Sequence, residues 1–313
     1  MVTLPTAIDN SRLPDPYVVV EESHEKLNSD FITRFQSEWA AARAIDPTLP
    51  DYDVQMLETD PAMIMGQAVS YLRLVDLKYV NSVYRALLAP FATGSDLDAV
   101  VAARNIERLT VIPASGGNET VMEGDAALLK RYLLKGDRAS AGSGNRYLLD
   151  AYETWPQSED RTIGLWDAVF NGWEVHKRRG DTDVVIAGPF GAAPSAEQIA
   201  VVRAAILDAP GNPEGVDIQV LAANRKEFTP NLVIEVANSS LVTPVTEEAT
   251  ARVTAAALGR TTIGGEVPAG LLRGAAYGPG VLSVRDLDPF TIEPDRYSIP
   301  VMANLNLTVE VRT

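Results

Sequence analysis

The sequence predicts an α+β protein: an N-terminal helical bundle half followed by two small α/β sandwich-like units with open sheets. Three observations carry that expectation. Residues 61–87 repeat apolar side chains every three or four positions over an unusual length, and beyond residue 160 the period changes to mixed strand and helix patterns. A chain of 313 residues is also long enough for two or three separate cores. With 46% hydrophobic and 22% charged residues, wholesale disorder is not expected.

Over residues 1–21, Pro5, Pro14 and Pro16 among polar residues predict an extended N-terminal arm of the kind that lies on a neighbour. Residues 22–109 read as a helical core-bundle domain. Its first helix carries Leu27, Phe31, Phe35 and Trp39 at four-residue spacing, with acids early and Arg43 late, and Asp46-Pro47 ends it. Thr59 or Asp60 then caps a second helix of about 28 residues, or ~42 Å, in which Pro61 takes the first helical position. Its stripe is Ile64, Ala68, Leu72, Val75, Tyr79, Val83 and Leu87. These seven residues are the candidate bundle interface. Two partners fit the stripe equally: another molecule, or residues 22–43 of the same chain.

The stretch FATGSDLDAVVAARNIERL, residues 91–109, sets Asp96 and Asp98 ahead of an apolar run. Gly94 is expected to end the preceding turn, Ser95 to act as N-cap and Asp98 to occupy the capping-box position. Carboxylates at a helix start stabilise it, so a cap is favoured over a metal or phosphate site. Residues 110–159 read as a helical hinge or connector. Asp125 is expected to cap a short helix holding Leu128, Leu129, Tyr132 and Leu133, and Gly136 to stop it. Gly142 and Gly144 within ASAGSGN form the expected hinge, since the loop lacks the lysine of a Walker motif and the full spacing of a dinucleotide loop.

Residues 160–229 predict a β-β-α-β unit. Trp173 and Val175 begin a strand, RRGDT turns, VVIAG returns, Ser195 and Gln198 box a helix with Ile199, Val202 and Ile206, and Val216, Ile218 and Val220 follow. Residues 230–313 predict β-α-α-β-β. Leu232, Ile234 and Val236 lead to a helix between Thr243-Pro244 and Gly259, Pro268 opens a short helix, and PGVLSVRDL and LNLTVEV supply strands.

Composition narrows function. The net charge, 27 − 42 = −15, opposes nucleic-acid binding. The absence of cysteine excludes disulfides, thiolate zinc sites and cysteine nucleophiles. His24 and His176 lack a metal-type partner at i+3 or i+4, and the pairs Asp51/Asp53, Asp181/Asp183 and Asp286/Asp288 sit in turn-forming sequence. No catalytic, cofactor-binding or metal residue is therefore assigned, no cofactor is expected, and an enzyme is not. Neither a signal-peptide pattern nor an apolar run of ~18 residues occurs, so neither export by signal peptide nor membrane insertion is expected.

Several stretches in order carry a family resemblance. They are Asp60-Pro61 opening the long helix, Ala92-Thr93-Gly94 with Asp96-Leu97-Asp98, Glu107-Arg108-Leu109, and Ala141-Gly142-Ser143 leading to Arg146-Tyr147, followed by two sheet units. Together they resemble the baseplate J-like family of contractile-tailed phages, over nearly the whole chain from Asp15. The region 153–171 and the segment 267–272 depart from the family pattern. The resemblance implies a structural wedge component of a tail baseplate, located in the virion and assembled in the bacterial host cytoplasm. It implies a second copy of the chain and a smaller wedge protein as bundle partners, with sheath-initiator and hub proteins as further neighbours. It also implies a ring of C-terminal units around the hub that rearranges on sheath contraction. A second class, a receptor- or glycan-binding tail protein, would be favoured by an exposed aromatic cluster drawn from Trp155, Trp166 and Trp173.

Overall fold

The computed structural model describes residues 21–51, 59–137, 142–209, 212–213 and 215–312. Residues 1–20 of the expected arm, Asp53 and part of the glycine loop lie outside the described residues. The described residues fall into two compact units, one ending at Ala103 and one beginning at Arg104.

In the first unit, α1 (His24–Ile45) starts at Ser23, whose hydroxyl accepts from Lys26 N at 3.1 Å, and ends at Asp46. Phe31 stacks on Phe35 and Phe35 on Trp39, so the four-residue spacing builds a continuous aromatic ridge. Helix α2 (Pro61–Ala86) has Asp60 as N-cap, with Oδ1 accepting from Ala62 N at 2.8 Å, and Pro61 in its first turn. Its 26 residues span ~39 Å. Helix α3 (Gly94–Ala102) follows a turn in which Phe91 N and Ala92 N both donate to Leu88 O.

The second unit begins with a small antiparallel pair, β1 (Thr110–Ile112) and β2 (Val121–Met122), then α4 (Asp125–Leu134) and α5 (Gly144–Thr154). A sheet of order β3-β4-β5 follows: β3 (Asp167–Asn171) is antiparallel to β4 (Asp181–Ala187), and β4 is parallel to β5 (Asp217–Ala222). The β4–β5 crossover is α7 (Ala196–Asp208), opened by a complete Ser195/Gln198 capping box. Val184 and Ile186 face Tyr147, Leu148, Val202 and Ile206, whereas Val185 and Ala187 face Ile299 and Val301. Both faces of the sheet are thus covered, which is why β4 reads as an uninterrupted apolar run instead of an alternation. Each wholly buried Val or Ile there contributes about 1.5–3 kcal/mol.

The expected strand at Trp173 and Val175 is instead a one-turn helix, α6 (Trp173–His176), ended by Lys177 in left-handed conformation; the strand lies earlier, at β3. Helix α5, expected to be part of a connector, contributes Tyr147, Leu148, Leu149, Ala151 and Tyr152 to the core of this sheet.

A second three-stranded sheet has the order β10-β7-β8: β7 (Asn231–Val236) is parallel to β10 (Asn306–Val311) and antiparallel to β8 (Val281–Asp286). Helix α8 (Val242–Leu258) buries Val245, Ala249, Val253 and Ala257, a strict four-residue stripe, against Leu232, Ile234 and Val284. The short α9 (Leu271–Ala276) is preceded by Gly270 at φ +85°, and this residue, not Pro268, sets its start. Besides β1 and β2, which fall in the expected helical connector, two further strands were not expected from sequence: β6 (Asn224–Phe228) and β9 (Ser298–Met302), which pair in parallel between the two sheets.

Candidate assembly interface

Helix α2 presents two apolar faces with different fates. Ala62, Met63, Gly66 and Ser70 are buried, and Ile32, Phe31 and Phe35 of α1 pack on Ala62 and Met63. Gly66 permits the close approach, because a methyl there would strike Asn28 Oδ1 and the Phe31 ring. The expected stripe of Ile64, Ala68, Leu72, Val75, Tyr79, Val83 and Leu87 is exposed at every position. Leu72 is 62% and Tyr79 70% accessible. At ~100° per residue the two sets lie on roughly opposite sides of the helix. The internal α1–α2 pair therefore exists, but it uses the other face. Met65, Tyr71, Val80 and Tyr84 extend the bare surface. So many large apolar side chains left exposed along one helix exceed the scattered single residues usual on a monomer surface.

The corner after α2 corrects the expected cap. The N-cap is Thr93, extended at φ −137° and ψ 155°, and Gly94 is the first helical residue at φ +55°. Ser95 and Asp98 consequently lie inside the helix, beyond the N-cap position. Asp96 occupies the acid-favouring first turn. Leu97 and Val101 supply the buried side, as the apolar spacing suggested.

The Glu107-Arg108-Leu109 stretch is held by a buried ionic cluster on α4. Arg131 Nη1 donates to Glu123 Oε2 at 2.5 Å and to Glu107 O at 3.1 Å, and Leu109 N donates to Glu123 Oε2 at 3.2 Å. Arg108 donates to Glu123 O at 2.7 Å and to Asp125 Oδ1 at 2.6 Å. Asp125 is thus not the expected cap: Gly124 takes that position and the Asp125 carboxylate serves Arg108. Burial pushes the Glu123 carboxyl above its ordinary value, while Arg131 and the Leu109 N–H act against that shift.

The two hinge glycines have unlike surroundings. Gly142 is left-handed at φ +74° and solvent-exposed. Gly144 is the first residue of α5, and a side chain there would run into the Phe170 ring, so it is a close-packing position rather than an open pivot. The three tryptophans that bear on a glycan-binding reading have different surroundings. Trp166 is buried with its indole N–H on Thr261 O at 2.6 Å, Trp155 packs on the first sheet's core, and Trp173 has Lys177 over its ring. Asp181 and Asp183 both accept from Arg178, and Asp286 Oδ1 accepts from Asp288 N at 3.2 Å in a turn. His176 Nε2 meets Asn171 O at 3.0 Å, and His24 Nε2 meets Gln67 O at 3.3 Å. Among the described residues no group of three or more His, Asp or Glu side chains is placed to hold a metal ion, and no helix is long and apolar enough to cross a membrane.

Comparison with known proteins bears on the same region. Residues 58–115, which contain α2, the corner and the Glu107-Arg108-Leu109 stretch, match the Baseplate J-like N-terminal domain. Over 164 residues the chain is 28% identical to baseplate protein J of Escherichia phage P2, a match covering 50% of each protein. The matched stretch thus spans about half the length of that curated relative.

Proposed function

We propose, from the premise that this chain is baseplate J-like over residues 58–115, that it is a non-enzymatic structural component of a phage tail baseplate. The observation that carries the proposal is the bare face of α2. Six apolar side chains of α2 from Ile64 to Val83, with Leu87 at its C-cap, stand exposed, while α1 packs on the other side of the helix at Ala62 and Met63. Burying a Leu or Val contributes about 1.5–3 kcal/mol, so covering such a face by further helices is strongly favoured. In the finer reading, the face joins a helical core bundle containing a second copy of this chain and a smaller wedge protein. The C-terminal sheets make ring contacts near sheath-initiator and hub proteins and shift on sheath contraction. Assembly takes place in the bacterial host cytoplasm and the product resides in the virion.

The test is a charged substitution at Leu72 or Val75 in tail-producing cells. The expected outcome is a folded protein that no longer copurifies with other tail proteins, and tails that lack a complete baseplate in electron micrographs. Intact contractile tails carrying Leu72→Glu would overturn the bundle reading.

A further inference from the structure

Between the two three-stranded sheets lies a set of contacts, several of which join residues more than a hundred positions apart. Asp183 on β4 is almost wholly buried, and its carboxylate accepts from Arg178 Nη2 at 2.7 and 2.8 Å and from Tyr297 Oη at 2.6 Å. Arg296, next in the chain to Tyr297, donates through Nε to Asn171 Oδ1 at 2.8 Å and through Nη2 to Phe170 O at 2.9 Å. Asn171 Nδ2 returns a bond to Arg296 O at 3.0 Å. Asn171 is wholly buried, so these bonds replace the water it has lost.

Backbone and core reinforce the polar contacts. Ile263 N donates to Asp167 Oδ2 at 2.8 Å, and Asn224 N donates to Tyr297 O at 2.8 Å. The parallel β6–β9 pairing runs from Asn224↔Ser298 to Phe228↔Met302, and Ile299 and Val301 from β9 close over Val169 and Val185 of the first sheet. Gly191, left-handed at φ +73°, is tightly fitted there, since a methyl would meet Val301 Cγ2 at 2.7 Å.

From this arrangement we infer that the two sheets, with the described residues between 160 and 312, move as one rigid body, locked by an Arg178–Asp183–Tyr297 and Asn171–Arg296 clasp across the β6–β9 ladder. The two sheets do not swivel against each other; any shift they make within an assembly is made together. Charge-assisted bonds to buried partners are the strong members of the hydrogen-bond class, and here several converge on one seam. The inference concerns the chain itself and stands apart from the baseplate reading, because its test needs only purified protein.

The chain contains no cysteine, so paired spin labels can be placed cleanly on the full-length protein. Val201→Cys with Leu287→Cys puts labels at exposed positions on either side of the seam, and Val175→Cys with Val201→Cys is a control within the first sheet unit. The expected result is a single distance distribution across the seam no wider than the control. A broader or bimodal distribution would overturn the inference. The clasp is tested by Arg178→Ala combined with Arg296→Ala, checked for folding by circular dichroism. Amide exchange at β6 and β9 is expected to rise by about tenfold or more. Unchanged exchange at β6 and β9 would show that the clasp does not lock the seam. Should that double variant fail to fold, the distance measurement decides the rigid-body inference alone.

Discussion

Arg131 on α4 donates to Glu123 at 2.5 Å with both side chains almost completely buried, and the same pair holds the backbone of Glu107 and Leu109. A buried ion pair is costly to form but costlier to break, because the survivor is left charged and unpaired. Arg131→Met is expected to lower stability by about 3–5 kcal/mol in urea unfolding. Combining it with Glu123→Leu should recover much of the loss. Equal loss in both variants would show that the cluster acts through geometry rather than charge compensation.

On α2 the two faces should respond in opposite ways. Tyr79→Glu, on the exposed face, is expected to change the thermal stability of the isolated chain by less than about 0.5 kcal/mol. Met63→Glu, which places an unpaired charge against Ile32 and Ala62, should strongly destabilise the α1–α2 pair. Thermal denaturation of the two variants separates the internal helix contact from the face left for partners.

Gly66→Leu tests the close approach of the helices. The added side chain meets Asn28 and Phe31 directly, and an overpacking cost of about 1–3 kcal/mol is expected. Gly94→Leu should also destabilise, but through φ +55° alone, since open space surrounds that position. A neutral Gly66→Leu variant would mean that α1 does not hold this position against α2.

Two serines at helix starts should differ. Ser195 accepts from Gln198 N at 3.2 Å and belongs to a complete capping box, so Ser195→Ala is expected to cost about 1 kcal/mol. Ser95 follows the true N-cap Thr93, and Ser95→Ala should fall within about 0.5 kcal/mol of the parent. Chemical denaturation midpoints compare the two.

Burial, followed by the hydrogen bond to Asp183, pushes the Tyr297 hydroxyl up to about 12. A hydroxyl whose pKa is raised on folding stabilises the folded state fully below its unfolded value near ~10, and that contribution is lost as pH rises through 12. Stability is therefore expected to fall between pH ~10 and ~12 in the parent protein. Tyr297→Phe should be less stable at neutral pH by about 1.5–3 kcal/mol, and its alkaline decline should be shallower. Urea midpoints measured across that pH range provide the check.

By itself the sequence determined the local grammar of this protein. Asp60-Pro61, the four-residue aromatic spacing of α1, the Ser195/Gln198 box and the stripe of α8 are each written within one turn or one helix face, where neighbouring residues dictate the outcome. The stripe from Ile64 to Leu87 was equally legible, yet which face α1 would take was not. That choice depended on Gly66 leaving room for the Asn28 and Phe31 side chains of α1, a fact about separation rather than periodicity. Only the tertiary structure decided the rest. Polar strand β6 carries no apolar signal, because its register comes from β9, more than seventy residues away. Asp125 and Asp183 looked like turn and cap residues because aspartate favours those places, and their roles appeared only when the fold carried Arg108 and Tyr297 to them. Long-range pairing of polar groups leaves no period in a sequence, since the physical requirement that a buried charge be matched says nothing about where along the chain its partner lies.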